Sequence, residues 1–274
     1  MNQQKSVLKV GLAGLGVVGS EVARQLTTRS AALGAAAGCE LRLVAIAARD
    51  RMANRGFNTS TMMWVENAAD MAAIEELDIV VEMIGGSEGV ALDVVRNALL
   101  AGKHVVTANK ALIAERGNEL FALASANEVM LAFESAVAGG IPIIKALREG
   151  LAANDIEWLA GIINGTGNFI LSEMSAKQSE FSEVLLQAQE LGYAEADPTF
   201  DVEGIDAAHK LTIMSAIAFG IPLQFEKTYT EGISGISPAD ISFAEELGYR
   251  IKHLGIARKT ARGVEMRVHP TLVP

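Results

Sequence analysis

What this sequence lacks narrows its character before any motif is read. Only one of its 274 residues is a cysteine, Cys39. A disulfide framework within the chain is therefore impossible, and a cysteine-based zinc site is excluded with it. No run of about 18 uncharged apolar residues occurs, so a membrane span is not expected. The opening residues, Met1-Asn2-Gln3-Gln4-Lys5, carry neither the apolar stretch nor the cleavage site of a secretory signal. The expected compartment is the cytoplasm. Positive charge is not in excess either: 23 basic residues against 33 acidic ones leave a net charge of −10. A nucleic-acid partner would need clustered Lys and Arg to neutralise phosphates, so none is expected. Repeats are absent, and the one biased tract, Ala31 to Gly38, reads as a loop or helix end.

What is present is a foldable chain. Half of the residues are hydrophobic and one fifth are charged, which excludes a disordered polymer. The length suits one large domain or two small ones. The first half alternates strand and helix signals. Lys9 to Gly14, Leu41 to Ala48, Asp78 to Ile84, His104 to Thr107 and Val129 to Phe133 read as strands. Between them, Gly16 to Arg29, Leu92 to Ala101 and Leu112 to Asn127 carry apolar residues at helical spacing. That alternation predicts a parallel sheet covered on both faces. The second half has another rhythm. Ile156 to Ile163 is strand-like, Phe181 to Leu191 helical, and Ala207 to Phe219 apolar nearly all round, as in a buried helix. Tyr249 to Ala257 and Val264 to Val268 flank Arg262-Gly263 as a hairpin. The expectation is an α/β domain over residues 1–140 and an α+β domain over 141–274, with the boundary near Gly140.

Three constellations carry chemistry. The first is Gly14-Leu15-Gly16-Val17-Val18-Gly19, a G-x-G-x-x-G that follows a strand and opens a helix. Its glycines allow a tight turn and a close backbone approach, and the helix N-terminus offers N–H donors to a pyrophosphate. This predicts a Rossmann-like dinucleotide-binding domain. Beyond the second strand lie Arg49, which suits the 2′-phosphate of NADP, and Asp50, which equally suits the ribose hydroxyl of NAD. The second is Thr107-Ala108-Asn109-Lys110, at the carboxyl end of a strand, where open α/β sheets bind ligands. The third is the run from Gly192 to Lys210, with Glu195, Asp197, Asp201, Glu203 and Asp206 just ahead of the apolar helix. Asp206 and Lys210 stand four apart, on one helical face. A lysine at the entrance of a buried helix is expected in a pocket whose carboxylates fix its aim. His104, His209, His253 and His269 show no metal-ligand spacing and read as structural.

With these residues in view, the sequence resembles the homoserine dehydrogenase family. Gly14 to Gly19, Thr107 to Lys110, Asn164-Gly165-Thr166-Gly167-Asn168-Phe169 and the order Ala188, Gly192, Asp197-Pro198, Asp201, Gly204, Asp206, Lys210 all carry the likeness. The resemblance implies reversible reduction of L-aspartate 4-semialdehyde to L-homoserine by NADPH or NADH, in threonine, methionine and isoleucine biosynthesis. It implies that Lys210 is the acid–base residue and Lys110 a second lysine where cofactor and substrate meet. It implies substrate contacts from Tyr193, Glu195, Asp201, Asp206 and the backbone near Thr166, with Glu195 on the substrate ammonium. Cofactor contacts would come from Gly14, Leu15, Gly16, Val17, Val18 and Gly19, and from Arg49, Thr107 and Lys110. A structural sodium ion would take Glu134 and the carbonyls of Val137, Gly139 and Ile141. The apolar second half points to a homodimer.

The same resemblance implies a longer chain. In the family the catalytic region continues past the position of Pro274, and many members add a regulatory domain of the ACT type. The expectation is a truncated form without feedback inhibition, whose alternative reading is a catalytically incomplete dinucleotide-binding fragment or a regulatory protein of the same fold. Aspartate-semialdehyde dehydrogenase chemistry needs a cysteine nucleophile. Cys39 precedes the second strand, in the cofactor half, and does not fit that role.

Overall fold

The computed structural model describes residues 6–274; the polar lead-in Met1 to Lys5 lies outside the described residues. The chain divides into two units, one ending at Pro142 and the other running Ile143–Pro274.

The first unit alternates strands and helices: β1 (Val7–Ala13), α1 (Val17–Thr28), α2 (Ser30–Ala37), β2 (Glu40–Ala47), β3 (Met63–Trp64), β4 (Ile79–Glu82), α3 (Val90–Leu100), β5 (His104–Thr107), α4 (Lys110–Ala126), β6 (Leu131–Ala132) and α5 (Glu134–Val137). Its six strands run in the order β3-β2-β1-β4-β5-β6 and every pairing is parallel. This is the doubly wound order, in which the winding reverses between β1 and β4. The reversal leaves a crevice at the carboxyl ends of those two strands. Val10, Leu12, Ile46 and Val81 from the sheet are buried against Ala23 of α1. The tract Ala31 to Gly38, expected as a loop or helix end, is helical up to Ala37. Its alanines are strong helix formers, and Gly38 ends it in the left-handed conformation at φ 72°. The strand read over Val129 to Phe133 shrinks to Leu131–Ala132, because Glu128 just ahead takes a positive φ of 56°.

The second unit holds α6 (Ile143–Lys145), β7 (Trp158–Gly161), α7 (Gly165–Lys177), α8 (Phe181–Glu190), α9 (Thr199–Val202), α10 (Ile205–Phe219), β8 (Tyr229–Thr230), α11 (Pro238–Glu246), β9 (Arg250–Thr260) and β10 (Gly263–Val273). Its sheet runs β7-β9-β10-β8, antiparallel except for the β10–β8 pair. The hairpin reaches further than its apolar pattern, to Thr260 and from Gly263, closing over Ala261-Arg262. Helix α10 lies on one face of this sheet, with Ala207, Ala208 and Leu211 against Ala257, Met266 and Val268. Helices α7 and α8 form a second core through Ile170, Leu171, Met174 and Val184. Helix α11 opens on a capping box between Ser237 and Asp240 with Pro238 at its first position.

A buried lysine fastens the first unit. Lys103, 5% exposed, follows α3 and donates to the carbonyls of Ile74 at 2.7 Å and Leu77 at 2.9 Å. Those carbonyls close the segment leading into β4. Lys103→Met keeps the apolar stem and removes the donors, so it is expected to cost about 2 kcal/mol. A urea midpoint equal to that of the wild type would show that these bonds contribute nothing.

Candidate active site

In the first unit the glycine motif sits at the switch point. Gly14 takes φ 93°, and a Cβ there would stand 2.6 Å from the Met83 carbonyl. A Cβ on Gly19 would run into the Gly14 carbonyl oxygen, so helix α1 can close on the turn only as glycine. Gly16 faces open space and caps α1 with no side-chain hydrogen bond, which leaves the first-turn N–H groups for a ligand. The turn borders a cavity of about 640 Å³, bounded also by Arg49, Asp50 and Arg55 beyond β2 and by Met83 and Ile84 beyond β4. Val17 is 92% exposed beside it.

The two residues that left the NADP or NAD choice open both line the cavity. Asp50 Oδ1 accepts from Met52 N at 2.8 Å, an Asx turn within its own loop. Arg49 faces the cavity with Arg55, a residue the sequence reading did not single out. The guanidinium of Arg55 donates to the Asp50 and Ala53 carbonyls and lies 5.6 Å from the centre of the Trp64 ring. It is therefore held, and it adds positive charge at that end of the cavity.

A buried carboxyl at the end of β4 was not singled out in the sequence. Glu82 ends β4 with no exposure to solvent. It accepts from Ile84 N at 2.6 Å, Gly85 N at 3.0 Å and Thr107 Oγ1 at 2.5 Å. The signal was a lone charge inside the apolar run Ile79 to Ile84. Thr107 is buried, so its side chain faces Glu82 and not the cavity. Asn109 caps α4 by accepting from Leu112 N at 3.1 Å, which sets Lys110 at the first position of that helix.

In the second unit Asn164, Asp201, Asp206 and Lys210 come together. Lys210 Nζ donates to Asp206 Oδ2 at 2.8 Å and to the Ile163 carbonyl at 3.0 Å. The Asn164 amide donates to Asp201 Oδ1 at 2.8 Å and to Asp206 Oδ2 at 2.9 Å. Its oxygen accepts from Gly167 N at 2.9 Å, capping α7. That thirteen-residue helix was not read from the sequence, because Gly165 and Gly167 open it and obscure its start. The signal for Asn164 was its place just ahead of Gly-Thr-Gly, where a capping asparagine belongs. Asp206 is 4% exposed, and the Lys210 side chain 19%.

The other residues expected at the substrate make contacts of their own. Thr166 Oγ1 donates to the Tyr193 carbonyl at 2.9 Å, and the Tyr193 ring leans on Phe169 at 4.8 Å. Gln189 holds the Glu195 carbonyl at 3.0 Å, while the Glu195 side chain is exposed. Among the described residues no cluster of three or more His, Cys, Asp or Glu side chains could hold a metal ion. Glu134 begins and Val137 ends α5, and Gly139 and Ile141 lie in the loop after it. His209 sits between the rings of Phe200 and Phe225.

Comparison with known proteins decides the lineage. Residues 14–134 match the family model described as homoserine dehydrogenase, NAD binding domain, and residues 142–274 match that of homoserine dehydrogenase. The chain belongs to the homoserine dehydrogenase family. It is 58% identical, over 97% of its length, to the homoserine dehydrogenase of Pseudomonas aeruginosa. It spans 61% of that relative's length. A solved homoserine dehydrogenase from Thiobacillus denitrificans superposes with a TM-score of 0.93 at 59% identity, covering 98% of this chain and 62% of that one. A hyperthermophilic archaeal homoserine dehydrogenase in complex with NADPH superposes at 0.81 with 26% identity, covering 98% and 82%. The family thus combines an NAD(P)-binding Rossmann-like domain with the mixed-sheet unit that carries Lys210.

Beneath the Lys210 cluster lies His253, 2% exposed. Its backbone exchanges hydrogen bonds with the Asn168 side chain, and its Nε2 meets the Glu231 carbonyl at 2.9 Å, so that nitrogen carries the proton. Nδ1 is buried without a hydrogen-bond partner. Burial holds the ring below the ordinary 6.5, against the raising influence of the Glu231 carbonyl and of the Glu203 and Glu231 charges, with His269 adding to the depression. The unfolded chain therefore takes up a proton near pH 6.5 that the folded chain refuses. This contribution is intact above that pH and is lost as the pH falls toward the depressed value. Unfolding free energy is expected to drop with a slope approaching about 1.4 kcal/mol per pH unit in that window. His253→Gln should flatten the curve; an unchanged slope between pH 7.5 and 5.5 would remove His253 as its source.

Proposed function

We propose that this chain catalyses the reversible reduction of L-aspartate 4-semialdehyde to L-homoserine with NADPH, a step of threonine, methionine and isoleucine biosynthesis. The observation that carries the reading is the hydrogen bonding of Lys210. An ammonium has three donors. Two of them point to Asp206 Oδ2 and the Ile163 carbonyl, which leaves the third for a substrate oxygen.

The bound cofactor supplies the hydride, from its reduced nicotinamide ring. Reduction of an aldehyde builds negative charge on its oxygen, and the third N–H of Lys210 meets that charge and delivers a proton to the same oxygen. In the oxidative direction Lys210 takes the hydroxyl proton of homoserine. Asp206 fixes the aim of Lys210 and balances its charge. Glu195, exposed at the loop after α8, is the group for the substrate ammonium; Asp201, Tyr193 and the Thr166 turn frame the rest of the amino acid. Lys110, at the start of α4, adds a second cation on the cofactor side.

The cofactor fits the first unit. The glycine turn and the first turn of α1 take the pyrophosphate. Arg49 and Arg55, both lining the cavity, place two cations where a 2′-phosphate would lie. NADPH in the archaeal homologue supports this choice. A carboxylate at Glu134 with carbonyls of Val137, Gly139 and Ile141 is an all-oxygen set, which suits a hard cation such as sodium. The open face of the second unit's sheet carries Trp158, Ile162 and Tyr229, 65%, 54% and 54% exposed, and a second copy of the chain would cover it.

Lys210→Ala is expected to lower kcat by at least about a hundredfold, with the NADPH Kd within about twofold of wild type. Glu195→Ala should raise the semialdehyde KM by roughly tenfold or more and change kcat far less. Unaltered turnover in the first or KM in the second would remove that residue from its role. NADPH binding without turnover by the folded wild-type chain would support the alternative of a catalytically incomplete dinucleotide-binding protein. Trp158→Glu should shift the sedimentation of the chain from dimer to monomer; a monomeric wild type would end the dimer reading.

A further inference from the structure

We infer that Glu82 is the positioning residue for the nicotinamide half of the dinucleotide site. The inference rests on the NADPH reading above. In a doubly wound sheet the two halves of a dinucleotide lie on either side of the switch point. Arg49, Asp50 and Arg55 mark the adenosine side, at the end of β2, and the glycine turn marks the pyrophosphate. The nicotinamide side is therefore built by the loops after β4 and β5.

Those loops are joined through one carboxyl. Glu82 Oε1 accepts the N–H groups of Ile84 and Gly85, which bends the chain sharply as it leaves β4. Gly85 and Gly86 then take φ 92° and 84°, a path that needs glycine. Glu82 Oε2 accepts the hydroxyl of Thr107 at the end of β5. Thr107 Oγ1 in turn accepts the N–H of Asn109 at 2.9 Å, and the Asn109 amide donates back to the Gly86 carbonyl at 2.7 Å. The ring of bonds is closed, and Lys110 follows it directly.

As the bonds run, both oxygens of residue 82 accept, and only an acceptor there takes up the Thr107 hydroxyl proton. A glutamine keeps the bonds to Ile84 and Gly85 but turns an N–H₂ toward Thr107. The threonine hydroxyl then faces a donor and has no acceptor for its own proton. The charge-assisted bond between the two loops is replaced at best by a weaker, reversed one that leaves the threonine proton unpaired, while the strands and the adenosine side stay as they are. Glu82 touches no reacting atom in this account; it acts by holding Ile84, the Gly85-Gly86 loop and the Thr107 to Lys110 turn in one arrangement.

The test compares two ligands by calorimetry on the intact chain: NADPH, and adenosine 2′,5′-bisphosphate, which carries only the adenosine side. Glu82→Gln is expected to weaken NADPH by about tenfold and to leave the bisphosphate within about twofold, with a fall of a few degrees in melting temperature. Thr107→Val should repeat the effect, Thr107→Ser should fall clearly short of it, and the Glu82→Gln/Thr107→Val pair should be no worse than the weaker single variant. If Glu82→Gln does not fold, the two Thr107 variants decide the matter alone. Equal NADPH affinity in wild type and variants, or parallel loss of both ligands, would overturn the inference. A folded wild type that binds neither ligand would instead overturn the dinucleotide reading, and this inference with it.

Discussion

A carboxylate withdrawn from water keeps its charge only where donors surround it. Asp206 meets that condition with two donors on one oxygen, the Lys210 ammonium and the Asn164 amide. Much of the second unit can be read as the means of bringing them there. Helix α10 must begin at the edge of the sheet for Asp206 and Lys210 to share a face with the end of β7. Gly204 permits this. It takes φ 80°, and a Cβ on it would lie 2.9 Å from both His253 and Val268. The Ile163 carbonyl, just beyond β7, then becomes the second acceptor for Lys210. Backbone geometry, helix entry and charge pairing are thus one constraint on where the Lys210 ammonium points.

The first unit solves a different problem with similar means. Its ligand must approach backbone, so side chains are removed where the turn closes and withheld where the ligand would lie. Gly14 and Gly19 serve the closure, and Gly16 serves the approach. Charge is then arranged around that bare turn: arginines line the cavity, and at the end of β4 a carboxyl is shut away from solvent, its acceptor capacity consumed by the protein itself.

Much of this was legible in the sequence, and the rest was hidden for identifiable reasons. The alternation of β-branched strands and amphipathic helices disclosed the parallel sheet, and His104–Thr107 falls where the pattern put it. The Asp206–Lys210 pair followed from helical spacing and an uncharged run behind it. Helix α7 was obscured because two glycines in its first turn argue locally against a helix; packing of Ile170, Leu171 and Met174 overrides that preference. Helix α2 was hidden by composition, since Ser30 to Ala37 has almost no amphipathic contrast and shows no buried residue. Glu82 and Asn164 escaped for a further reason. Their importance lies in partners 25 and 42 residues away in sequence, Thr107 and Asp206, and no local window contains them.

Both units place an asparagine at the N-cap of a helix beside their site, and the choice of residue has a common chemical reason. Asn109 and Asn164 each use the side-chain oxygen to accept a first-turn N–H, from Leu112 and from Gly167. Serine, threonine or aspartate would do that as well. Each asparagine also turns its amide outward, to the Gly86 carbonyl in one unit and to the carboxylates of Asp201 and Asp206 in the other. Serine and threonine lack the second arm. Aspartate has it but offers only acceptors, and at position 164 it would set a third carboxylate against two others. Only a side chain with an acceptor and a donor at fixed separation can end a loop, start a helix and hold the neighbouring polar groups at once. The amide at each cap is therefore part of the site as much as of the helix.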